Sequence, residues 1–463
     1  MNSRSNTDVR RYLPIALGLG LWGALVSLAP DLTTKALLVA PAAAIPLAGW
    51  TLAQPGRWVM LFLTSALLLP PLPIALGDSG PHPSLIFAAL GLWAGALWIS
   101  AWRIPTTAVG GGLLALFCAL LASVGMAAVN SGWEIAAGSL ARVLLFGIGV
   151  YVFFFTAGTR LDGLPGVRWI YWCAVAAALF ACVDFYFQFP APAGYGPQFV
   201  WLDSGVFRRA QGLFYEASTL GNFCVFFLVM IAVALARPRA ESPVGRAGLA
   251  GGGAVLFAAM VLSYSRASVV NLGVALLVLL WWHRERIRLG RLLLLAVALG
   301  GFSAIAVWKI FPAFAEMYWV RLSYSAEYLT SATESVLSGR VASWRTLVDW
   351  VAAHPLQAML GIGYKTLPYT EYLGTPVVAD NMYLSLLVET GIAGLAALVW
   401  LNVAIVKAAA RAARSADCRR AFYGLWMLCF WWGEAAQMAS GDLLTYWRVL
   451  PVYFFVLGLA LRV

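Results

Sequence analysis

The sequence predicts an all-α polytopic membrane protein, with about fourteen transmembrane helices and a range of 12–14. Composition is the first reason. Hydrophobic residues make up 62% of the 463 positions and charged residues 11%, against roughly 45–50% and 25% in soluble globular chains. Mean hydropathy is +0.82. The second reason is arrangement. The apolar residues gather into runs at 13–29, 36–53, 58–76, 84–101, 106–129, 138–158, 169–187, 218–236, 248–264, 267–282, 292–310, 383–405, 421–437 and 449–461. Each approaches the ~20 residues a helical span needs. The third is charge. The net of +11 does not read as a nucleic-acid surface, because the Lys and Arg residues punctuate apolar runs instead of clustering on a soluble face.

The chain opens on a polar, basic stretch, Met1 to Arg11, before the run at 13–29. No small-residue cleavage pattern leads into a soluble domain and further runs follow at once, so this reads as a first span and not a signal peptide. Alternating sides then sorts the charges. One side holds 20 basic and five acidic loop residues, the other ten basic and twelve acidic. By the positive-inside rule the first side is cytoplasmic, and both termini lie there. The runs 248–264 and 267–282 form a tight hairpin around Ser265 and Arg266. Two outer segments are long, 188–217 and 311–382. In the second, Val341, Trp344, Leu347, Val348 and Val351 recur at helical spacing, which predicts an amphipathic helix over the membrane face with Ser338 as its N-cap. The domain reading is one integrated membrane domain: a bundle over 1–310 with the shorter loop 188–217, the large outer loop 311–382, and C-terminal spans over 383–463.

The six cysteines form no C-x-x-C pair, and three histidines, His82, His283 and His354, are too few and too scattered for a metal site. No cofactor and no nucleic-acid partner is expected. Four ionisable residues fall inside apolar runs: Arg142, Asp184, Glu389 and Glu434. Such residues are functional candidates because burying a charge in lipid is costly. Arg142, Asp184 and Glu434 fall near the outer ends of their spans and Glu389 deeper. Asp184 and Glu434 read best as an interfacial or interhelical pair.

Four stretches carry the outward-facing chemistry: Arg208-Arg209-Ala-Gln-Gly212-Leu-Phe214-Tyr-Glu216; Ser263-Tyr264-Ser265-Arg266; Ser338-Gly339-Arg340 with His354-Pro355 and Gly361-Ile-Gly363-Tyr364; and Asp380-Asn381-Met-Tyr383-Leu384 running on to Glu389-Thr-Gly391-Ile-Ala-Gly394. With Arg142 they bring at least four arginines to one membrane face. Arginine is permanently charged and its planar fork grips phosphate bidentately, so the set suits a membrane-anchored diphosphate. Its competing reading is a row of arginines meeting lipid phosphates. Asp380 fits either a general base for an attacking sugar hydroxyl or an N-cap shared with Asn381. The sequence does not choose between Arg208 and Arg209 for ligand contact.

Arg209-x-x-Gly212-x-Phe214, Ser265-Arg266-Ala, Gly339-Arg340 with Pro355 and Gly361-x-Gly363, and Asp380-Asn381-x-Tyr383-Leu384 occur in the order seen in the O-antigen ligase/polymerase superfamily, over about residues 140–400. The chain resembles that family. The resemblance implies a GT-C-like glycosyltransferase of the Gram-negative inner membrane, working at the periplasmic face without metal on undecaprenyl-diphosphate-linked glycan donor and acceptor. A chain-length-regulating membrane protein is an expected further partner. It implies a diphosphate bound through Arg142, Arg209, Arg266 and Arg340. Taken with the chemistry above, Asp380, Arg266 and Arg340 are the catalytic candidates, and Arg142, Arg208, Arg209, Asn381, Tyr383, Tyr264 and Glu216 the substrate-binding ones. Ligases of the family usually carry His before Asn-x-Tyr, where this chain has Asp380, and Pro-Asn after the Arg-x-x-Gly motif, where it has Glu216-Ala217-Ser218. Both departures lean towards a polymerase of O-antigen, capsule or exopolysaccharide. A ligase and a lipid-linked sugar transporter are the alternatives.

Overall fold

The computed structural model describes residues 18, 20–28, 32–72, 81–104, 106–158, 166–190, 196–202, 205–238, 242–284, 308–309, 316, 319, 340–369 and 377–462. The run at 292–310, most of the loop 311–382, and Ser338 and Gly339 lie outside the described residues.

The described chain is overwhelmingly helical, and its helices fall on the apolar runs. In order they are α1 (Leu32–Ala53), α2 (Arg57–Leu68), α3 (Ser84–Leu97), α4 (Ala108–Ser131), α5 (Trp133–Gly158), α6 (Val167–Phe187), α7 (Ala217–Ala236), α8 (Arg246–Leu262), α9 (Arg266–Trp282), α10 (Arg340–Ala353), α11 (Pro355–Leu360), α12 (Met382–Ala413), α13 (Cys418–Gln437) and α14 (Leu450–Leu461). Five of them, α4, α5, α6, α7 and α12, are long and apolar enough to cross a membrane. This is a multi-pass membrane protein. The apolar helices α2, α3, α8, α9 and α14 are shorter than that measure, so the count of fourteen spans rests on the sequence alone.

The loop 188–217 departs from an all-helical reading. It folds into a short antiparallel hairpin, β1 (Phe199–Leu202) and β2 (Gly205–Arg208), with Phe199 opposite Arg208. In register, Val200 lies opposite Phe207 and Trp201 opposite Val206. Such bulky residues favour a pleated pair.

Helix ends are closed by the residues the sequence offers. Thr107 accepts from the Gly110 amide at the start of α4, Ser265 from Ser268 at α9, Asn381 from Leu384 at α12, and Asp417 from Arg419 at α13. These side chains satisfy backbone donors that a helix start leaves orphaned.

The core runs through α5, α7, α13 and α14. Phe226 packs on Trp426 with ring centroids 4.3 Å apart, and the Trp426 indole donates to the Phe226 carbonyl at 2.7 Å. Buried within it is a polar knot drawn from four helices. Asn222 of α7 and Asn271 of α9 both donate to Glu434 Oε2 and Gln437 Oε1 of α13, and Tyr453 of α14 donates to Asn222 Oδ1. Polar groups this deep are costly unless partnered. The knot therefore sets the rotation of all four helices. Gly433 lets α13 approach α9 closely, since a Cβ there would lie 2.4 Å from the Asn271 carbonyl oxygen.

One helix is not what its apolar run suggests. Inside α12, Gly391 has φ 70° and ψ −170°, which is not helical. The element is a short piece, 382–390, followed by a helix over 392–413. At ~1.5 Å per residue that second part is itself long enough to span. Glu389 therefore sits beside the break and not at mid-helix, where the unbroken run had put it.

Candidate active site

The loop ends between α6 and α7, the turn between α8 and α9, the start of α10, the loop 361–369 and the start of α12 converge at one end of the bundle. The β2–α7 connection is pinned first. The Ala210 amide donates to the Leu262 carbonyl at 2.9 Å, and Arg209 Nε donates to the Ser263 carbonyl at 2.9 Å. Gln198 holds both sides of this loop. Its amide donates to Gln211 Oε1, and its side-chain oxygen accepts from the Ala217 amide at the start of α7. The Arg-x-x-Gly stretch and the Ser-Arg hairpin are thus brought against each other.

Three guanidiniums share this place. Arg209 is half-buried, and burial pushes its pKa down. The Glu216 carboxylate and Tyr446 act against that, and the positive charges of Arg340 and Arg266 add to it. Arginines crowded this way strongly favour an anion between them. Arg208 goes elsewhere. Its Nη2 pairs with buried Asp184 at 3.3 Å and donates to the Phe189 carbonyl. The neighbouring arginines have separate jobs, which sequence could not assign. Arg209→Ala is expected to reduce activity with the fold intact. Arg208→Ala is expected to leave the Asp184 carboxylate buried without its partner and to lower thermal stability. Melting temperature and activity, measured on both variants, separate the two.

Asp380 stands at the opposite wall. Arg340, the first residue of α10, donates from Nε to Asp380 Oδ2 at 3.0 Å. Trp344, one turn on, donates to the Ala379 carbonyl at 2.6 Å and ties the helix to this segment. Asp380 has φ 44°, a left-handed conformation that Asp tolerates better than most residues. The capping role falls to Asn381, whose oxygen accepts from the Leu384 amide at 3.1 Å. Asp380 is therefore not the N-cap of α12, and its carboxylate faces the arginines. Tyr383 is directed away, donating to the Ala435 carbonyl of α13 at 2.8 Å. Tyr264 is buried in the hairpin turn with φ 52°.

Glu216 precedes α7 without capping it and accepts from the Ser218 hydroxyl at 2.8 Å. Burial pushes its pKa up. Ser218 and Lys365 act against that, while Asp442 and Asp380 add to it. Lys365 and Asp442 were not singled out from sequence. They form an ion pair. Burial works to lower the Lys365 pKa, but Asp442 and Glu389 outweigh it and hold the amine above its ordinary value. Lys365 also has φ 59°. Arg448, likewise unforeseen, is buried, donates to the carbonyls of Ala66, Leu69 and Leu213, and lies 5.2 Å from the Phe214 ring centroid. It holds the α2 end to the Arg-x-x-Gly loop. Its signal was a lone arginine between the runs 421–437 and 449–461.

The Gly361-x-Gly363 loop rests on the break in α12. The Ile362 amide donates to the Val388 carbonyl at 3.0 Å, and Gly363 to the Glu389 carbonyl at 2.9 Å. Asn130 at the end of α4 donates to the Ile362 carbonyl at 3.1 Å. Arg142 of α5 lies beyond this loop, 3.4 Å from the Tyr369 hydroxyl and 5.8 Å from its ring centroid. His354 occupies the N-cap position of α11 and stacks on Trp350 with ring centroids 4.9 Å apart.

Residues 251–399 match the family model described as O-antigen ligase. The match covers 149 of the 463 residues, and over that stretch the chain is similar to the family. The similarity does not separate ligase from polymerase. A search of curated proteins finds no matching relative. The matched domain includes Arg266, Arg340, Asp380 and the Gly361–Gly391 contact. Arg142, Arg208, Arg209 and Glu216 lie before it, and of these Arg209 and Glu216 join the group only through the fold.

Proposed function

We propose that this protein is an inner-membrane glycosyltransferase that polymerises lipid-linked oligosaccharide repeat units at the periplasmic face. The observation that carries the reading is the gathering of Arg209, Arg266 and Arg340 around the Asp380 and Glu216 carboxylates at one end of the bundle. The similarity of residues 251–399 to the O-antigen ligase family supports lipid-linked glycans as substrates. The charge bias of the loops puts this end on the outer side.

In this reading the diphosphate of an undecaprenyl-linked glycan enters among the arginines. Its oxygens compete with Asp380 for Arg340, and that exchange frees the carboxylate as the donor arrives. Asp380 then accepts the proton of the acceptor hydroxyl. The hydroxyl oxygen bonds to the anomeric carbon as the bond from that carbon to the phosphate oxygen breaks. The electron pair leaves on the diphosphate, where Arg266 and Arg340 stabilise it. Arg209 positions the diphosphate and Arg142 the chain beyond it. Glu216 lies across the group and orients the acceptor sugar. A single displacement of this kind inverts the anomeric configuration.

The test is elongation in vesicles. Purified protein given a lipid-linked repeat unit produces a ladder on a gel, and Asp380→Asn loses it while still folding. A single transfer to lipid A-core without a ladder makes it a ligase. Lipid crossing between leaflets with no covalent change overturns the enzyme reading.

A further inference from the structure

At the other end of the bundle, the start of α4, the end of α12 and the end of α14 surround a cavity of about 340 Å³. Its apolar floor includes Val109, Ala408 and Leu461, and its polar lining is Thr107, Arg411, Ser415 and Arg420. The two guanidiniums come from different elements, α12 and α13. Arg420 Nε is anchored on the Ala460 carbonyl at 3.2 Å, which leaves its terminal nitrogens uncommitted to that bond. Among the described residues, neither Arg411 nor Arg420 has a carboxylate within ion-pair distance, and no acidic residue lines the cavity. The start of α4 adds its positive dipole end, with the Gly110 amide already taken by Thr107.

We propose that this cavity is a binding site for the phosphate headgroup of an anionic phospholipid. Two unpaired arginines and a helix start are matched to a phosphate monoester or diester. The apolar floor is matched to the glycerol and acyl portion that follows it. The site lies at the ends of α4, α12 and α14 remote from Asp380, which the charge bias places on the cytoplasmic side. There, basic pockets between helices are suited to lipid headgroups. Such a lipid would staple three helices, of which α4 ends at the Gly361–Gly363 loop and α12 begins beside Asp380 at the opposite end.

The full chain, purified in detergent, is titrated with phosphatidylglycerol or phosphatidylcholine and, separately, with inorganic phosphate. Bound lipid is counted by native mass spectrometry and melting temperature is followed. Phosphatidylglycerol is expected to bind and raise the melting temperature, and phosphatidylcholine to do neither. The double variant Arg411→Gln, Arg420→Gln is expected to lose at least about tenfold in affinity, as befits two charge-assisted contacts. Ser415→Glu sets a carboxylate at the cavity and is expected to do the same without touching either arginine. Arg414→Gln, on the same face but outside the cavity lining, is the control and retains binding. Protection by millimolar phosphate alone assigns the site to a soluble phosphate. Unchanged phosphatidylglycerol binding in both the double variant and Ser415→Glu, or equal loss in Arg414→Gln, overturns the proposal. Loss of binding in Ser415→Glu, with an unchanged apo melting temperature, separates a lost site from a lost fold. None of these outcomes depends on glycosyl transfer.

Discussion

Under the proposed function, Arg266→Ala is expected to slow elongation by roughly 10²–10³, the usual cost of removing one group that stabilises developing charge. The expectation rests on place. Arg266 opens α9, half-buried, one residue after the Ser265 cap, and its positive charge adjoins Arg340 and Arg209. No other described cation enters the group from the α8–α9 turn. Arg266→Lys keeps the charge and loses the bidentate fork, so it recovers only part of the rate. Ladder formation from a lipid-linked repeat unit reads both variants, and the melting temperature shows whether each still folds. Normal chain lengths in the alanine variant would remove Arg266 from the site.

Gly391→Ala is the substitution with the largest expected cost to the fold. A Cβ at Gly391 would lie 2.2 Å from the Met359 carbonyl oxygen and 2.6 Å from its carbon, both backbone. The residue also has φ 70°, which strains any side chain by about 1–3 kcal/mol. Overpacking against atoms that cannot rotate away adds about 1–3 kcal/mol. Gly361 faces it across the same contact, its own Cβ position 2.4 Å from the Glu389 carbonyl oxygen. A melting-temperature drop, with poor recovery from membranes, is the expected result. Ala393, two positions on in the second part of α12, is the control, and Ala393→Gly is expected to cost no more than about 1 kcal/mol. Wild-type stability in Gly391→Ala would show that the break is not needed.

These two substitutions mark what was and was not legible. Helices were legible because apolar runs of span length have few alternatives in lipid. The Arg-x-x-Gly and Ser-Arg stretches drew attention by placing charge and small residues together. The Asp380 ambiguity was not resolvable from sequence, because Asp and Asn are both good caps. Only the geometry gives the cap to Asn381 and the ion pair to Asp380. Tyr383 looked like a site residue by its motif, but its hydroxyl holds α13. Lys365 and Asp442 were missed because they lie 77 positions apart and neither sits in a recognisable pattern.

By itself, the sequence determined that this is a multi-pass helical membrane protein, where its helices fall, which loops carry the basic excess, and the similarity of residues 251–399 to the O-antigen ligase family. Those properties are local or additive: hydropathy over about twenty residues, summed charge, short ordered motifs. Tertiary structure decided which arginine joins the cluster and which is spent on Asp184, where α12 breaks, and which helices share the polar knot around Glu434. Each of these depends on where distant side chains meet. In a low-dielectric interior, a buried polar group must find a partner, and that partner is set by packing and not by position along the chain.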